Sequence, residues 1–243
     1  MTANTPDIVA NLASIRQRIG NAAKTAGRQP DDVRLIAVTK YMPCAYLETA
    51  MAAGHYCFGE NTLQGAMNKQ PLLDAPSNEW HFIGHLQTNK ARKVPAHFNW
   101  LHTLDSLKLA RKLSESALQA DTTLNVLLQV NIASDPDKYG LDTESVHAFA
   151  DNLLAAKLAG IRLCGLMTIG HRAADPGETR ASFAALRELG DSCAARFGVD
   201  HFRELSMGMS NDFELAVAEG ATMVRVGSAI FGPRPVSNDQ TLK

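Results

Sequence analysis

The chain has 243 residues, 24 Lys and Arg against 25 Asp and Glu, and 45% hydrophobic residues. That length and apolar content suit one α/β domain with a sizeable core, and barrels of this size are often a single domain. The near balance of charge excludes the excess of one sign with which a chain meets nucleic acid or an anionic membrane, and no stretch approaches the roughly 20 apolar residues of a membrane span.

The N-terminus, MTANTPDIVANLASIRQ, has no basic segment followed by an apolar core, so no secretory signal is expected. Four scattered cysteines, Cys44, Cys57, Cys164 and Cys193, form no CxxC pair, and a reduced, cytoplasmic compartment is expected.

In chain order, a helix over 7–27 (DIVANLASIRQRIGNAAKTAG) precedes a first apolar run, VRLIAVTK (33–40). Further strand-like runs follow at YCFGE (56–60), WHFIG (80–84) and WLHTLD (100–105). The segment SLKLARKLSESALQA (106–120) has apolar residues at helical spacing, with Asp105 or Ser106 as its N-cap. NVLLQVNI (125–132) is the fifth strand, DTESVHAFADNLLAAK (142–157) a helix with a capping-type start, and IRLCGLMTI (161–169) the sixth strand. A longer helix, GETRASFAALRELGDSCAARF (177–197), leads to FRELSM (202–207), TMVRVG (222–227) and a short last helix after Phe231.

Strict alternation of strand and helix implies a parallel sheet, and eight such units in this length favour a single (β/α)₈ TIM barrel with an additional N-terminal helix. The competing Rossmann sheet lacks its fingerprint, since no G-x-G-x-x-G follows the first strand. No repeat, low-complexity segment or interdomain linker divides the chain, so 1–243 is read as one domain with its core at about 8–234.

Barrel chemistry gathers at the C-terminal strand ends. Read in order, those ends carry Lys40, Glu60–Asn61, Gly84–His85, Asp105, Asn131, Met167, Ser206–Met207–Gly208 and Gly227–Ser228. Alone, Lys40 would be an ordinary charged gatekeeper closing a hydrophobic strand. In this polar, glycine-punctuated ring it is instead a candidate nucleophile.

The loops after the seventh and eighth strands, SMGMSND (206–212) and RVGSAIFG (225–232), offer small residues, hydroxyls and backbone N–H groups at helix starts. Such groups bind phosphate, and barrels often place a phosphate site on these two loops. GSAIFGPR is not a Walker A loop, because Pro233–Arg234 replace its Lys–Ser/Thr pair. A lysine opposite a phosphate cradle points to pyridoxal 5′-phosphate, whose aldehyde forms a Schiff base with a lysine amine. Arg225 is the natural partner for the ring nitrogen. An arginine keeps its proton, so the nitrogen stays unprotonated and the chemistry is milder than an aminotransferase's.

LIAVTKYMP, FGENTLQGAMNK, WHFIGHLQTNKARKV, LLQVNIASDPDKYGL, GLMTIG and LSMGMSNDFELAVAEGATMVRVGSAIFGPR resemble the YggS/PROSC family, the pyridoxal phosphate homeostasis proteins. The resemblance spans about residues 8 to 234 and implies a barrel like the N-terminal domain of alanine racemase, with pyridoxal phosphate on Lys40. It implies that Ser206, Met207, Gly208, Ser210, Gly227 and Ser228 form the phosphate loops, that Arg225 faces the pyridine nitrogen and that Asn61 lies near the ring. Two departures stand out. Thr39-Lys40-Tyr41-Met42-Pro43 replaces the usual Ser-Lys-Thr-Lys-Pro, and Thr62 replaces an aromatic residue after GEN.

Racemisation needs an acid or base on each face of the substrate carbon. In alanine racemase-like enzymes the second group is a tyrosine from an additional C-terminal domain. Here the sequence stops about ten residues after Arg234, and Tyr41, Tyr46, Tyr56 and Tyr139 all precede that point. The resemblance therefore implies a non-enzymatic carrier and regulator of pyridoxal phosphate that affects amino-acid and keto-acid balance; a monomer is expected, with pyridoxal phosphate-dependent apoenzymes as candidate recipients. The alternatives are a single-domain racemase-like enzyme using the same cofactor and a phosphate-binding barrel enzyme without it.

Other signals carry less. His81 and His85 have i, i+4 spacing, but WHFIG reads as strand and no HExxH glutamate is present, so no metal is expected. His85, with Gln87, Asn89 and Lys90 after it, is a candidate for the pocket mouth. Cys44 has no neighbouring basic residue to activate it. Asp212 and Glu214 read as first-turn partners of a helix dipole. Asp135, Asp137 and Lys138 read as a solvated loop, with Lys138 and Gly140 made more interesting by the resemblance.

Overall fold

The computed structural model describes residues 6–73, 75–133, 135, 137–170 and 175–233. Arg234, the end of the family-like block, and the residues after it lie outside this range. Eight parallel strands close into a barrel in sequence order: β1 (Arg34–Val38), β2 (Cys57–Glu60), β3 (Glu79–Phe82), β4 (Trp100–Leu104), β5 (Leu124–Gln129), β6 (Ile161–Met167), β7 (Glu204–Met209) and β8 (Met223–Val226). β8 pairs with β1, Arg225 opposite Ile36, which closes the barrel. Strands in a closed parallel barrel are covered on both faces and so read as continuous apolar runs. β4 and β8 are buried at every position.

The core has two layers. A large cluster fills the space between barrel and helices, with Phe58, Phe82, Leu101, Leu166, Phe183, Phe213 and Phe231 among its members. A smaller cluster of Ile36, Trp100, Leu127, Cys164, Met167 and Met223 fills the barrel itself. Side chains alternate along a strand, so Ile36 faces the barrel interior, and Lys40 follows two residues past the end of β1.

The expected helices are present with shifted ends. α1 (Ile8–Thr25) starts at Asp7, whose side chain accepts from Ala10 N. α2 (Cys44–Ala52) and α3 (Leu63–Lys69) follow β1 and β2. α4 (Leu107–Gln119) is capped by Ser106 rather than Asp105, through a 3.3 Å bond from Leu109 N. α5 (Val146–Ala155) is shorter than the 142–157 expected, because Thr143–Ser145 form a 3₁₀ turn ahead of it. α6 (Pro176–Phe197) is capped by Asp175, and α7 (Phe213–Ala218) follows β7.

Two expectations are corrected. The β3–β4 connection is a 3₁₀ segment, Thr88–Lys93, rather than an α-helix. Pro95 follows two residues later and carries no backbone N–H, so it cannot continue an i→i−4 hydrogen-bond ladder. The last helix, α8, spans Ser228–Phe231 and ends at Phe231 instead of starting after it.

Candidate functional site

The C-terminal mouth of the barrel brings the sequence candidates together in two groups, with Lys40 beside them. Lys40 is half-buried and sits in a turn in which Met42 N donates to Thr39 O at 2.9 Å. Tyr41 completes the turn at φ 64, a left-handed conformation unusual for a residue with a Cβ and costing of order 1–3 kcal/mol. The surrounding structure therefore holds this turn against its own preference.

One group is Ser210, Gly227 and Ser228. Ser210 Oγ accepts from Gly227 N at 3.2 Å and from Ala229 N at 3.4 Å, so a hydroxyl sits where those amides converge. Gly208 shapes the loop that carries Ser210. Its φ is 89, and a Cβ there would lie 2.5 Å from Ala216 Cβ and 2.9 Å from Phe213 Cα. Met207 is fully buried, and its side chain belongs to the outer core rather than the mouth. Asp212 turns back instead of capping α7, its Oδ1 accepting from Met209 N at 2.5 Å. Glu214 does lie in the first turn of α7, where it also pairs with Arg18 of α1 at 2.7 Å.

The other group is Arg225 and Ser206. Arg225, 5% exposed, donates to Ser206 Oγ at 2.6 Å and to Thr168 O at 2.9 Å, the latter just beyond the end of β6. Burial pulls its proton affinity down to about 10, with the Asp212 carboxylate opposing. Arginine so placed still carries its charge at neutral pH. The hydroxyl of Ser206 is thus grouped with Arg225 and not with Ser210.

Asn61 lies directly beyond β2, and its Oδ1 is buried without a hydrogen-bond partner among the described residues. Gln129, the last residue of β5, has its Oε1 in the same condition while its Nε2 donates to Tyr139 O at 3.0 Å. Orphaned buried oxygens are costly and point to an absent donor. Gly84 allows the close approach of Asn61, since a Cβ at 84 would stand 2.0 Å from Asn61 O. Thr62 is the N-cap of α3 and accepts from Gly65 N at 3.1 Å.

His85 joins the mouth by stacking on Tyr139, ring centroids 3.7 Å apart. Asn89 and Lys90 lie in the 3₁₀ segment. Lys138 Nζ is 3.3 Å from Gly170 O and 3.4 Å from Asp135, so the loop is tied across the mouth rather than only solvated. His81 lies far from His85 in role: it is fully buried inside the barrel, hydrogen-bonded to Glu79 and His102.

Sequence inspection missed the support beneath Lys40, where Thr39, Glu60 and Lys69 form a buried cluster. Thr39 Oγ1 donates to Glu60 Oε1 at 2.7 Å, and Lys69 Nζ donates to the same oxygen at 2.5 Å. It also missed the interior histidines. The available signal was position: His81 lies between Trp80 and Phe82 and His102 between Leu101 and Thr103, within strand runs where an unpaired polar side chain would be costly.

A closed (β/α)₈ barrel with a lysine at the end of β1 and hydroxyl-lined amides after β7 and β8 defines a racemase-type barrel, and the family described as "Alanine racemase, N-terminal domain" matches residues 10–235. Within it, the chain belongs to the pyridoxal phosphate homeostasis proteins. The protein of that name from Pseudomonas aeruginosa is 46% identical over 228 residues, covering 93% of this chain and 96% of its own. The structure of PipY from Synechococcus elongatus with pyridoxal phosphate bound is 40% identical, with a TM-score of 0.82 over 93% of this chain and all of its own. Alanine racemase from Streptomyces coelicolor, 19% identical, shares the fold with a TM-score of 0.67 over 92% of this chain and 58% of its own. No helix among the described residues is long and apolar enough to cross a membrane.

Proposed function

We propose that this chain binds pyridoxal 5′-phosphate covalently on Lys40 at the barrel mouth and acts in its intracellular homeostasis as a carrier and regulator, not as an enzyme. The observation that carries this reading is the meeting, at one mouth, of Lys40, the Gly227 and Ala229 amides under Ser210, and the buried guanidinium of Arg225. When bound, pyridoxal phosphate supplies an aldehyde, a phosphate and a pyridine ring, whose chemistry matches those three groups in turn.

Lys40 provides the amine. Ser210, Gly227 and Ser228 provide the phosphate cradle, with Met207 and Gly208 contributing main chain. Arg225 faces the ring nitrogen, and Ser206 fixes Arg225. Asn61 lies beside the ring, where its orphaned Oδ1 supports a ligand contact. The PipY structure with pyridoxal phosphate and the name of the Pseudomonas relative support pyridoxal phosphate as the ligand.

The placement of the tyrosines supports a carrier over the racemase-like alternative. Tyr41 and Tyr56 are exposed, Tyr46 stacks on Phe231 among the helices, and Tyr139, the one of the four placed at the mouth by its stacking on His85, is itself 58% exposed. A cytoplasmic monomer that passes its cargo to pyridoxal phosphate-dependent apoenzymes completes the reading. Borohydride reduction of protein incubated with pyridoxal phosphate, then peptide mass spectrometry, tests it. A pyridoxyl group on Lys40 is expected, and no adduct on any lysine overturns the assignment. Racemisation or transamination of a common amino acid at ordinary enzymatic rates overturns the carrier role alone.

A further inference from the structure

A continuous line of buried polar side chains runs through the barrel from its N-terminal end to Arg225. Glu79 Oε1, at the start of β3, is 2.7 Å from His81 Nε2. His81 Nδ1 is 2.9 Å from His102 Nε2 on β4, and His102 Nδ1 is 2.8 Å from Ser206 Oγ on β7. Ser206 Oγ accepts from Arg225 on β8 at 2.6 Å. His81, His102 and Ser206 are fully buried, among apolar residues that fill the barrel.

With both imidazoles neutral, the carboxylate end dictates the direction of every bond. An ionised carboxylate only accepts, so His81 must carry its proton on Nε2. A neutral His81 then has a bare Nδ1, which requires a proton on His102 Nε2. A neutral His102 has a bare Nδ1 in turn, which takes the hydroxyl proton of Ser206. The freed lone pair of Ser206 meets Arg225, which only donates. Arg225 only donates, and Ser206 can accept from it while giving its own proton to His102, so no member is left unpaired.

We propose that Glu79, His81, His102 and Ser206 form a one-directional positioning relay that fixes the guanidinium of Arg225 from the far end of the barrel. Its place beside the cofactor ring rests on the reading of Arg225 given above. The relay has a charge consequence as well. Both imidazoles stay neutral, so Arg225 has no second cation next to it.

The surroundings favour this state. Burial pulls the proton affinity of His81 and His102 down, Arg34 and Arg225 act in the same sense, and Glu79 and Glu204 oppose at His81. Burial pushes the Glu79 carboxyl up, but its contacts with His81, Arg34 and Trp100 outweigh that and leave it below the ordinary range. Burial raises the Cys57 thiol, so its sulfur, 3.2 Å from His81 Nε2, is a weak neutral neighbour. Cys57, Glu79 and His81 also have ligand atoms within 4.8 Å of one another, close enough to suggest a metal. Against that, the Arg34 guanidinium already lies 3.1 Å from Glu79 Oε1.

The test is long-range ¹⁵N NMR of the histidine rings in the cofactor-free protein, with metal analysis of the same sample. Two neutral rings protonated on Nε2, unchanged between about pH 6 and 8, are expected for His81 and His102. An imidazolium, an Nδ1–H tautomer, or a stoichiometric metal ion that perturbs His81 overturns the relay. In Glu79→Gln an amide replaces the acceptor that sets the direction. Mixed tautomers are expected there, together with pyridoxal phosphate binding weaker by about 3- to 10-fold, the equivalent of one net hydrogen bond. Unchanged tautomers, affinity and visible spectrum in that variant also overturn it. Correct tautomers in a wild-type protein that does not bind pyridoxal phosphate overturn the cofactor reading and leave the relay standing.

Discussion

Lys69 Nζ lies 2.6 Å from the carbonyl oxygen of Thr39, which opens the peptide leading into Lys40. The same ammonium pairs with Glu60, and Thr39 bonds Glu60 through its hydroxyl, so the turn carrying Lys40 rests on a buried ion pair. Two lysines at one mouth thus have separate tasks. Lys69 is committed to structure, while Lys40 belongs to the turn that this structure supports.

Removing one partner of that pair strands the other. Glu60 is 1% exposed, so Lys69→Met should cost about 3–5 kcal/mol in urea denaturation. The double variant Lys69→Met/Glu60→Leu should recover much of that loss, since no uncompensated charge remains. A double variant less stable than Lys69→Met would contradict the ion-pair account.

Gly208 makes a different demand, for space and backbone freedom together. Gly208→Ala would place a methyl group 2.5 Å from Ala216 Cβ at a left-handed φ, displacing α7 from β7 and with it the Ser210 loop. The expected cost is about 2–4 kcal/mol, combining strain with overpacking. Gly27→Ala is the control, because its φ of 71 is also left-handed but nothing lies within 4 Å of a Cβ there. It should cost only about 1 kcal/mol. Equal losses at both positions would show that packing against α7 plays no part.

The buried histidines predict acid sensitivity. Burial is the leading cause in lowering the proton affinity of His55, His81 and His102, in His55 to about 4. Unfolded, each would titrate near 6.5. The unfolded chain therefore binds protons that the folded chain refuses, and stability is full above that value and falls as pH drops towards the folded ones. Each histidine contributes a slope of about 1.4 kcal/mol per pH unit within its window, which for His55 runs from about 6.5 to 4. Glu79, depressed in the folded state, adds to the loss at still lower pH. Urea midpoints between pH 7.5 and 4.5 check this, and a flat profile below 6.5 would contradict it.

Much of the barrel could be read from sequence because parallel strands covered on both faces are unbroken apolar runs, as in LIAV and LLQV. The mouth was legible for a similar reason: Lys40, Ser210, Gly227 and Arg225 all stand within a few residues of a strand end. The connection after β3 was not, because periodicity does not separate a 3₁₀ segment from an α-helix cut short by Pro95. Nor could spacing divide Ser206 from Ser210. Both are serines of one short segment, Ser206 within β7 and Ser210 just past its end, yet one faces Arg225 and His102 within the barrel and the other the Gly227 and Ala229 amides. The interior relay depends on closure of the barrel, which brings β3, β4, β7 and β8 side chains into one line. Neighbours along the chain carry no trace of that.

The central claim is that Lys40 is the residue that holds pyridoxal phosphate. Visible absorbance of the protein loaded with pyridoxal phosphate, wild type against Lys40→Ala, tests it most directly. A band from the lysine-linked cofactor is expected in the wild type and should be absent from the variant, while far-UV circular dichroism stays unchanged. The same band persisting in a folded Lys40→Ala protein would place the linkage on another lysine and contradict the account.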